Sequence, residues 1–361
     1  MVVEPAVGPR GATVQPFGAG SIGSSPGGEH PVVLVILDGA SEPIGEGPTS
    51  LESARTPTLD RLASEGLLAK VRLIAAGMPV GSEAAIPALL GWFPTGPVDR
   101  GALEAAALGI PVAPGERSWR VDVVVPWGTR RASRADTERA ARELALAAPG
   151  YAVHRLTGHR LLLCGPPPLP EAIRAHGLRV WRQGIVPPRV LGPDTVVIGA
   201  RGAAVGAARL MGAQTIIPDG ATGQPDSDLA GKAAAAVSAI ASGARMVVVH
   251  VGGPDEASHV RDRAAKIASL ERADRYLIAP LAESVGRAGG TLRVGPDHGC
   301  DPETGAHHGG PVPWLVWSGG SGESSGPNRA SERRLTERAV AGLPPSTLVS
   351  WSRLALSEAA S

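Results

Sequence analysis

Aromatic side chains are scarce in this 361-residue chain, with seven Trp, two Tyr and two Phe. So few rings argue against a surface on which nucleic-acid bases stack. An excess of charge of one sign is also missing. Lys and Arg number 35 against 34 Asp and Glu, for a net charge of +1, which argues against a nucleic-acid partner. No apolar run approaches the roughly 18 residues that cross a bilayer, so no membrane partner is expected. The two cysteines, Cys164 and Cys300, stand far apart. They make no disulfide framework and fit a reducing compartment. Lysine is nearly absent, three residues against 32 arginines, which reads as a GC-rich coding bias. Residues 1–30 are rich in Gly, Pro and Ser and lack a basic stretch followed by an apolar run. They are expected to be a disordered leader rather than a secretory signal. The cytoplasm is the expected location.

What is present is an apolar fraction of 43%, ample for a sizeable core. Val32 to Leu37 is continuously apolar, as in a strand buried on both faces, and ends in Asp38-Gly39. Thr56-Pro57 opens a helix that Gly66 stops, Leu67 to Ile74 reads as a strand, and Glu83 to Leu90 as a helix. Asp228 to Ala241 is a small-residue helix. Met246 to Val251 is a buried strand leading into a polar loop, Gly252 to His259. Ala264 to Val285 is helical with a bend at Pro280, and Thr291 to Val294 and Pro313 to Trp317 are strands. Strands alternating with helices predict an α/β fold with a mostly parallel sheet and helices on both faces. The segment 118–218, broken by Pro166-Pro167-Pro168 and Pro187-Pro188, is expected to be a smaller inserted α+β unit. It holds short strands at Val121 to Val125, Arg160 to Leu163 and Thr195 to Ile198. The core is then discontinuous, 31–117 and 219–361.

Several polar residues follow the buried strands. Asp38 ends the first, where open α/β sheets place ligands. Asp255 and His259 share one face of a helical turn. Asp297-His298 follows a strand, and His307 comes ten residues after Asp297. Each piece alone is common on protein surfaces. Joint placement at successive strand ends points to a metal centre of Asp and His ligands, suited to Mn²⁺, Zn²⁺ or Mg²⁺. Cys300 is a candidate soft ligand, although a buried structural thiol is the commoner role.

The chain resembles the cofactor-independent phosphoglycerate mutases of the alkaline phosphatase superfamily, in their archaeal-type branch. The resemblance rests on Val35-Ile36-Leu37-Asp38-Gly39, Pro79-Val80-Gly81-Ser82-Glu83, Arg100-Gly101-Ala102-Leu103-Glu104-Ala105, Gly220 to Leu229, His250 to His259, Asp297-His298 and His307-His308-Gly309-Gly310-Pro311. It covers nearly all of Val32 to Leu356 in order. It implies an alkaline-phosphatase-like core with an inserted cap. It further implies two divalent ions, Mn²⁺ foremost, with Zn²⁺, Mg²⁺ and Co²⁺ as alternatives. One ion would be held by Asp38, Ser82, Asp297 and His298, the other by Asp255, His259 and His307. Ser82 would be the nucleophile carrying a transient phosphoryl group between the 3- and 2-hydroxyls of glycerate. Arg100, Arg120, Arg131 and Arg160 are the candidates for binding a small phosphorylated acid.

The pattern departs from the family in three places. Ile86 stands where the branch has a histidine. Trp119-Arg120-Val121-Asp122 replaces a Phe-Arg-Cys-Asn-like stretch. Gly165-Pro166-Pro167-Pro168-Leu169 replaces a Pro-His-Asp-type loop. These departures open two further readings. One is a phosphatase or mutase acting on another small phosphorylated or phosphonylated acid. The other is a catalytically silent metal-binding protein, against which the full ligand set argues.

Overall fold

Alternate side chains of Val32–Leu37 enter different cores, which is why the run is apolar throughout. Val33, Val35 and Leu37 pack in one cluster, Leu34 and Ile36 in another on the opposite face. A computed structural model describes residues 30–124, 132–156, 158–174, 178–319 and 333–347. Residues 1–29 of the expected leader, and Arg131, lie outside the described residues.

In chain order, β1 (Val32–Leu37) is followed by α1 (Ser50–Ser53), α2 (Pro57–Glu65), β2 (Leu67–Arg72), α3 (Ser82–Leu89) and α4 (Arg100–Leu108). Then come β3 (Arg117–Val123), α5 (Arg134–Ala147), β4 (Ala152–Arg155), β5 (Arg160–Gly165), α6 (Glu171–Arg174) and β6 (Leu178–Val180). The chain continues through β7 (Thr195–Ile198), α7 (Ala203–Met211), β8 (Gln214–Ile216), α8 (Leu229–Ala241), β9 (Met246–Val251), α9 (Gly253–His259) and α10 (Arg263–Ala273). A π turn, Asp274–Ile278, leads into α11 (Ala279–Arg287). The last described elements are β10 (Thr291–Gly295), β11 (Gly299–Cys300), β12 (His307–His308), β13 (Val312–Ser318) and β14 (Pro345–Thr347).

Eight strands form one sheet in the order β14-β2-β13-β10-β1-β9-β7-β8. All neighbours pair in parallel except β13, which runs against both β10 and β2. The expected α/β architecture is what the structure shows. Helices α2, α8, α10 and α11 contribute to the core on one face, and α3, α4 and α7 to the core on the other. A π turn stands just before Pro280, the position of the expected bend. Proline offers no N–H to the carbonyl four residues back, and the helical ladder is re-spaced there.

A second, antiparallel sheet, β4-β5-β3-β6, is backed by α5. Strand alternation sends Trp119, Val121 and Val123 into that core and Arg120 and Asp122 to the opposite face. The segment 118–218 is not one unit at its C-terminal end, however. β7 and β8 fall inside it yet pair in the large sheet, β7 directly against β9. A four-residue apolar strand carries no mark of the sheet it joins. The expected polar loop at Gly252 to His259 is also corrected. It folds as α9, whose first turn has Pro254 where a missing N–H costs nothing.

Candidate metal centre

Three adjacent central strands, β10, β1 and β9, end side by side, and their C-terminal connections carry the polar residues. Asp38 follows β1, Asp297-His298 follow β10, and α9 follows β9 with Asp255 and His259 one turn apart. Gly39 lets the loops meet. Its φ is +59°, and a Cβ there would lie 2.5 Å from Asp255 Oδ1. His307 arrives from the β11–β12 hairpin, and Ser82 opens α3.

Two clusters result. In one, Asp38, Asp297 and His298 bring their ligand atoms within 4.8 Å of one another; in the other, Asp255, His259, His307 and Cys300 do the same. His259 Nε2 is 3.1 Å from Asp255 Oδ2 and 3.1 Å from His307 Nε2, which is 3.2 Å from Asp255 Oδ1. His298 Nε2 lies 3.3 Å from Asp38 Oδ1. Ser82 Oγ donates to Asp38 Oδ1 at 3.1 Å and sits 3.3 Å from His298 Nε2.

The imidazoles are oriented from behind. Nδ1 faces a backbone carbonyl in each case: Gly305 at 3.1 Å for His259, Gly299 at 3.2 Å for His298 and Val80 at 3.1 Å for His307. That arrangement favours a proton on Nδ1 and turns Nε2 inward, the orientation a metal ligand needs. Asp297 Oδ2 and Asp255 Oδ1 are buried without a well-formed hydrogen bond. The 3.1–3.2 Å donor separations approach the roughly 3.3 Å edge of a tetrahedron with ~2.0 Å bonds. The residues present fit a pair of divalent cations.

The electrostatics agree. Burial alone would raise the Asp255 and Asp38 carboxyls. The imidazoles beside them, His259 and His307 at Asp255 and His250 and His298 at Asp38, outweigh that cost and hold both well below the usual range. Burial, reinforced by the charge of Asp38, pushes Asp297 up to about 6. Burial opposes charging of His298, yet Asp297 and Asp38 raise it well above the ordinary imidazole value. Bound cations would take the place of the imidazole protons that otherwise offset these carboxylates.

A cavity of about 550 Å³ opens above Ser82 and Asp38. Of the substrate-binding candidates, Arg100, Arg120 and Arg160 line it, together with Arg155 and Arg201. Arg100 is held by Glu83 at 2.6 Å and Glu104 at 3.3 Å. Arg120 is held by Asp122 at 2.9 Å and Glu104 at 3.2 Å, with its guanidinium over Trp181. Arg160 and Arg201 pair with no carboxylate among the described residues. Two departures from the family pattern fall away from this cavity. Ile86 is wholly buried in the core beneath α3, and Pro166, Pro167 and Pro168 are exposed on the smaller sheet's rim. They do not remove polar groups from the cavity wall.

Sequence reasoning missed two residues. His250 was absorbed into an apolar strand, yet its Nε2 lies 3.1 Å from Asp38 Oδ2; a lone imidazole in a strand covered on both faces was the signal. Arg201 carried none, because its position depends on β7 joining the large sheet.

The family model of the metalloenzyme superfamily matches residues 30–339. A 2,3-bisphosphoglycerate-independent phosphoglycerate mutase 1 of Archaeoglobus fulgidus is 29% identical, the match covering 79% of this chain and 88% of that protein. The corresponding enzyme of Methanothrix thermoacetophila is 28% identical over 80% and 91%. Among solved structures, a protein of Pyrococcus horikoshii superposes with a TM-score of 0.73 at 22% identity, covering 91% of this chain and 97% of that one. A cofactor-independent phosphoglycerate mutase of Thermoplasma acidophilum gives 0.55 at 17%, covering 91% and 99%. The two structural likenesses speak to the fold.

Proposed function

The chain belongs to the metalloenzyme superfamily, and on that premise we propose that it interconverts 3-phosphoglycerate and 2-phosphoglycerate through a phosphorylated Ser82. Asp38, Ser82, Asp297 and His298 would hold one divalent ion, and Asp255, His259 and His307 the other. The oxygen-rich first set suits Mn²⁺ or Mg²⁺. When bound, such ions lower the pKa of a hydroxyl and stabilise the attacking and leaving oxygens of an in-line displacement. The observation that carries the reading is the position of Ser82 Oγ. It contacts Asp38 and His298 on the floor of a cavity whose wall carries five arginines.

In this mechanism Ser82 Oγ points its proton at Asp38 Oδ1 and attacks phosphorus. The Oγ–P bond forms as the bond to the 3-oxygen of the substrate breaks, and the proton that leaves Ser82 passes by way of Asp38 to that 3-oxygen. Arg160 and Arg201 hold the carboxylate while glycerate turns. Its 2-hydroxyl then attacks phospho-Ser82; the new O–P bond forms as the Oγ–P bond breaks, and the hydroxyl's proton passes to Ser82 Oγ. Ser82 is the first residue of α3, so a phosphoryl group on it would stand at the positive end of that helix. The cavity volume suits a small phosphorylated acid. The names of the archaeal relatives support this substrate, and their likeness supports a cytoplasmic setting.

One observation favours a second reading, a phosphatase or mutase on another small phosphorylated or phosphonylated acid. Glu83, Glu104 and Asp122 already neutralise Arg100 and Arg120, leaving fewer cations for a carboxylate. The test is incubation of metal-loaded protein with 3-phosphoglycerate, following 2-phosphoglycerate and free phosphate together. Formation of 2-phosphoglycerate supports the mutase, free phosphate alone supports the second reading, and neither product rules out phosphoglycerate as substrate.

A further inference from the structure

The two cysteines of this chain sit in opposite surroundings. Cys164 packs with Ala105 and Leu162, as a small hydrophobe does. Cys300 is wholly buried but joins no apolar cluster. It stands directly opposite His307 in the β11–β12 ribbon, and opposed residues on such a ribbon project to the same side. That side holds α9. One ligand atom each from Asp255, His259, His307 and Cys300 lies within 4.8 Å of the other three.

The thiol is also held in position. Cys300 N donates to the Ser41 carbonyl at 2.8 Å, and its own carbonyl accepts from Lys266 Nζ at 2.7 Å. Lys266 is itself fully buried and pairs with Glu42 at 3.2 Å. A fully buried cation fastening one carbonyl fixes the backbone from which Sγ projects, which is how supporting groups orient ligands. Asp255 Oδ1, buried in the same cluster, lacks a well-formed hydrogen bond.

We propose that Cys300 Sγ is a fourth protein ligand of the site formed by Asp255, His259 and His307. This site therefore takes a thiophilic divalent ion, Zn²⁺ or Co²⁺, in preference to Mn²⁺ or Mg²⁺. The inference rests on the two-cation reading proposed above and departs from it in giving the two sites different tastes. Asp38, Ser82, Asp297 and His298 offer hard oxygens and one imidazole, whereas the second set offers two imidazoles, one carboxylate and a sulfur. As the ion binds, the Cys300 S–H bond breaks, the sulfur bonds the ion, and the proton passes to solvent.

The test is titration of the metal-stripped, full-length protein with Co²⁺ while near-ultraviolet absorption is recorded. About two equivalents should bind, one per cluster, and one should develop a sulfur-to-cobalt charge-transfer band. Cys164→Ser should keep the band and Cys300→Ser should lose it. In Cys300→Ser the preference of the second site for Zn²⁺ over Mn²⁺ should also fall, by about tenfold or more. Two equivalents bound to the wild-type protein without the band would overturn the assignment of Cys300 and leave the cation centre standing. No Co²⁺ binding would overturn the centre itself and this inference with it. The wild-type spectrum decides the matter even if Cys300→Ser does not fold.

Discussion

At the scale of single residues, the chemistry is set by what stands behind the reactive atoms. His259, His298 and His307 each present Nε2 because a carbonyl faces Nδ1. Asp255→Ala and Asp297→Ala should therefore each lose about one of two bound ions; full metal content in both variants, measured by elemental analysis, would contradict the ligand sets. A different residue governs a pH effect. Lys232 is wholly buried with Nζ on the His250 carbonyl at 2.8 Å, and burial pushes it down from 10.5 to about 8. The folded state binds this proton less tightly than the unfolded state. The contribution of Lys232 to stability should thus rise as pH climbs from about 8 towards 10.5. With three lysines in the chain, the Lys232 ε-carbon can be followed by NMR in labelled protein. A midpoint near 8 is expected, and one at 10.5 would contradict the burial argument. The metal-centre candidates were legible in the sequence because Asp and His at strand ends interrupt apolar runs. His250 carried a weaker mark, a single imidazole inside an apolar strand, which a reading of the strand passes over.

Among the elements, α4 links the two sheets. It packs on α7 so closely that a Cβ on Gly206 would lie 2.0 Å from the Leu103 carbonyl. On its other side, a Cβ on Gly101 would lie 2.2 Å from the Ser118 carbonyl at the start of β3. Gly206→Ala must push the helices apart and should lower stability by about 1–3 kcal/mol. Urea unfolding would measure the loss, and an unchanged midpoint would contradict the contact. Residues at the N-terminal ends of both helices, Arg100 and Ala203, line the cavity, so both helices border the site. Element type was largely readable from periodicity, and β1, α8, β9 and β10 lie where apolar runs predict them. Partners were not. Nothing local distinguishes β13, antiparallel to its neighbours, from a parallel strand, or marks β7 as part of the large sheet.

On the scale of the whole molecule, the fold gathers acidic groups at the ends of three parallel strands and faces them with arginines from both sheets. The order β10-β1-β9 makes residues near positions 38, 255 and 297 neighbours; that adjacency became legible in the sequence only through resemblance to a family, because spacing alone does not give strand order. Ions that bind the folded state and not the unfolded one stabilise it by mass action, about 4 kcal/mol per site at a thousandfold excess over Kd. Stripping the metal with a chelator should therefore lower the melting temperature, and readdition of divalent ions should restore it. Equal melting in both states would contradict a cation centre built into the fold. The most direct test of the central claim is to acid-quench metal-loaded protein during turnover with phosphoglycerate and map phosphorylated peptides by mass spectrometry. Phosphate is expected on Ser82, and Ser82→Ala should fold, carry none and lose activity by several orders of magnitude. Phosphate on any other residue, or turnover in Ser82→Ala at the wild-type rate, would contradict the account.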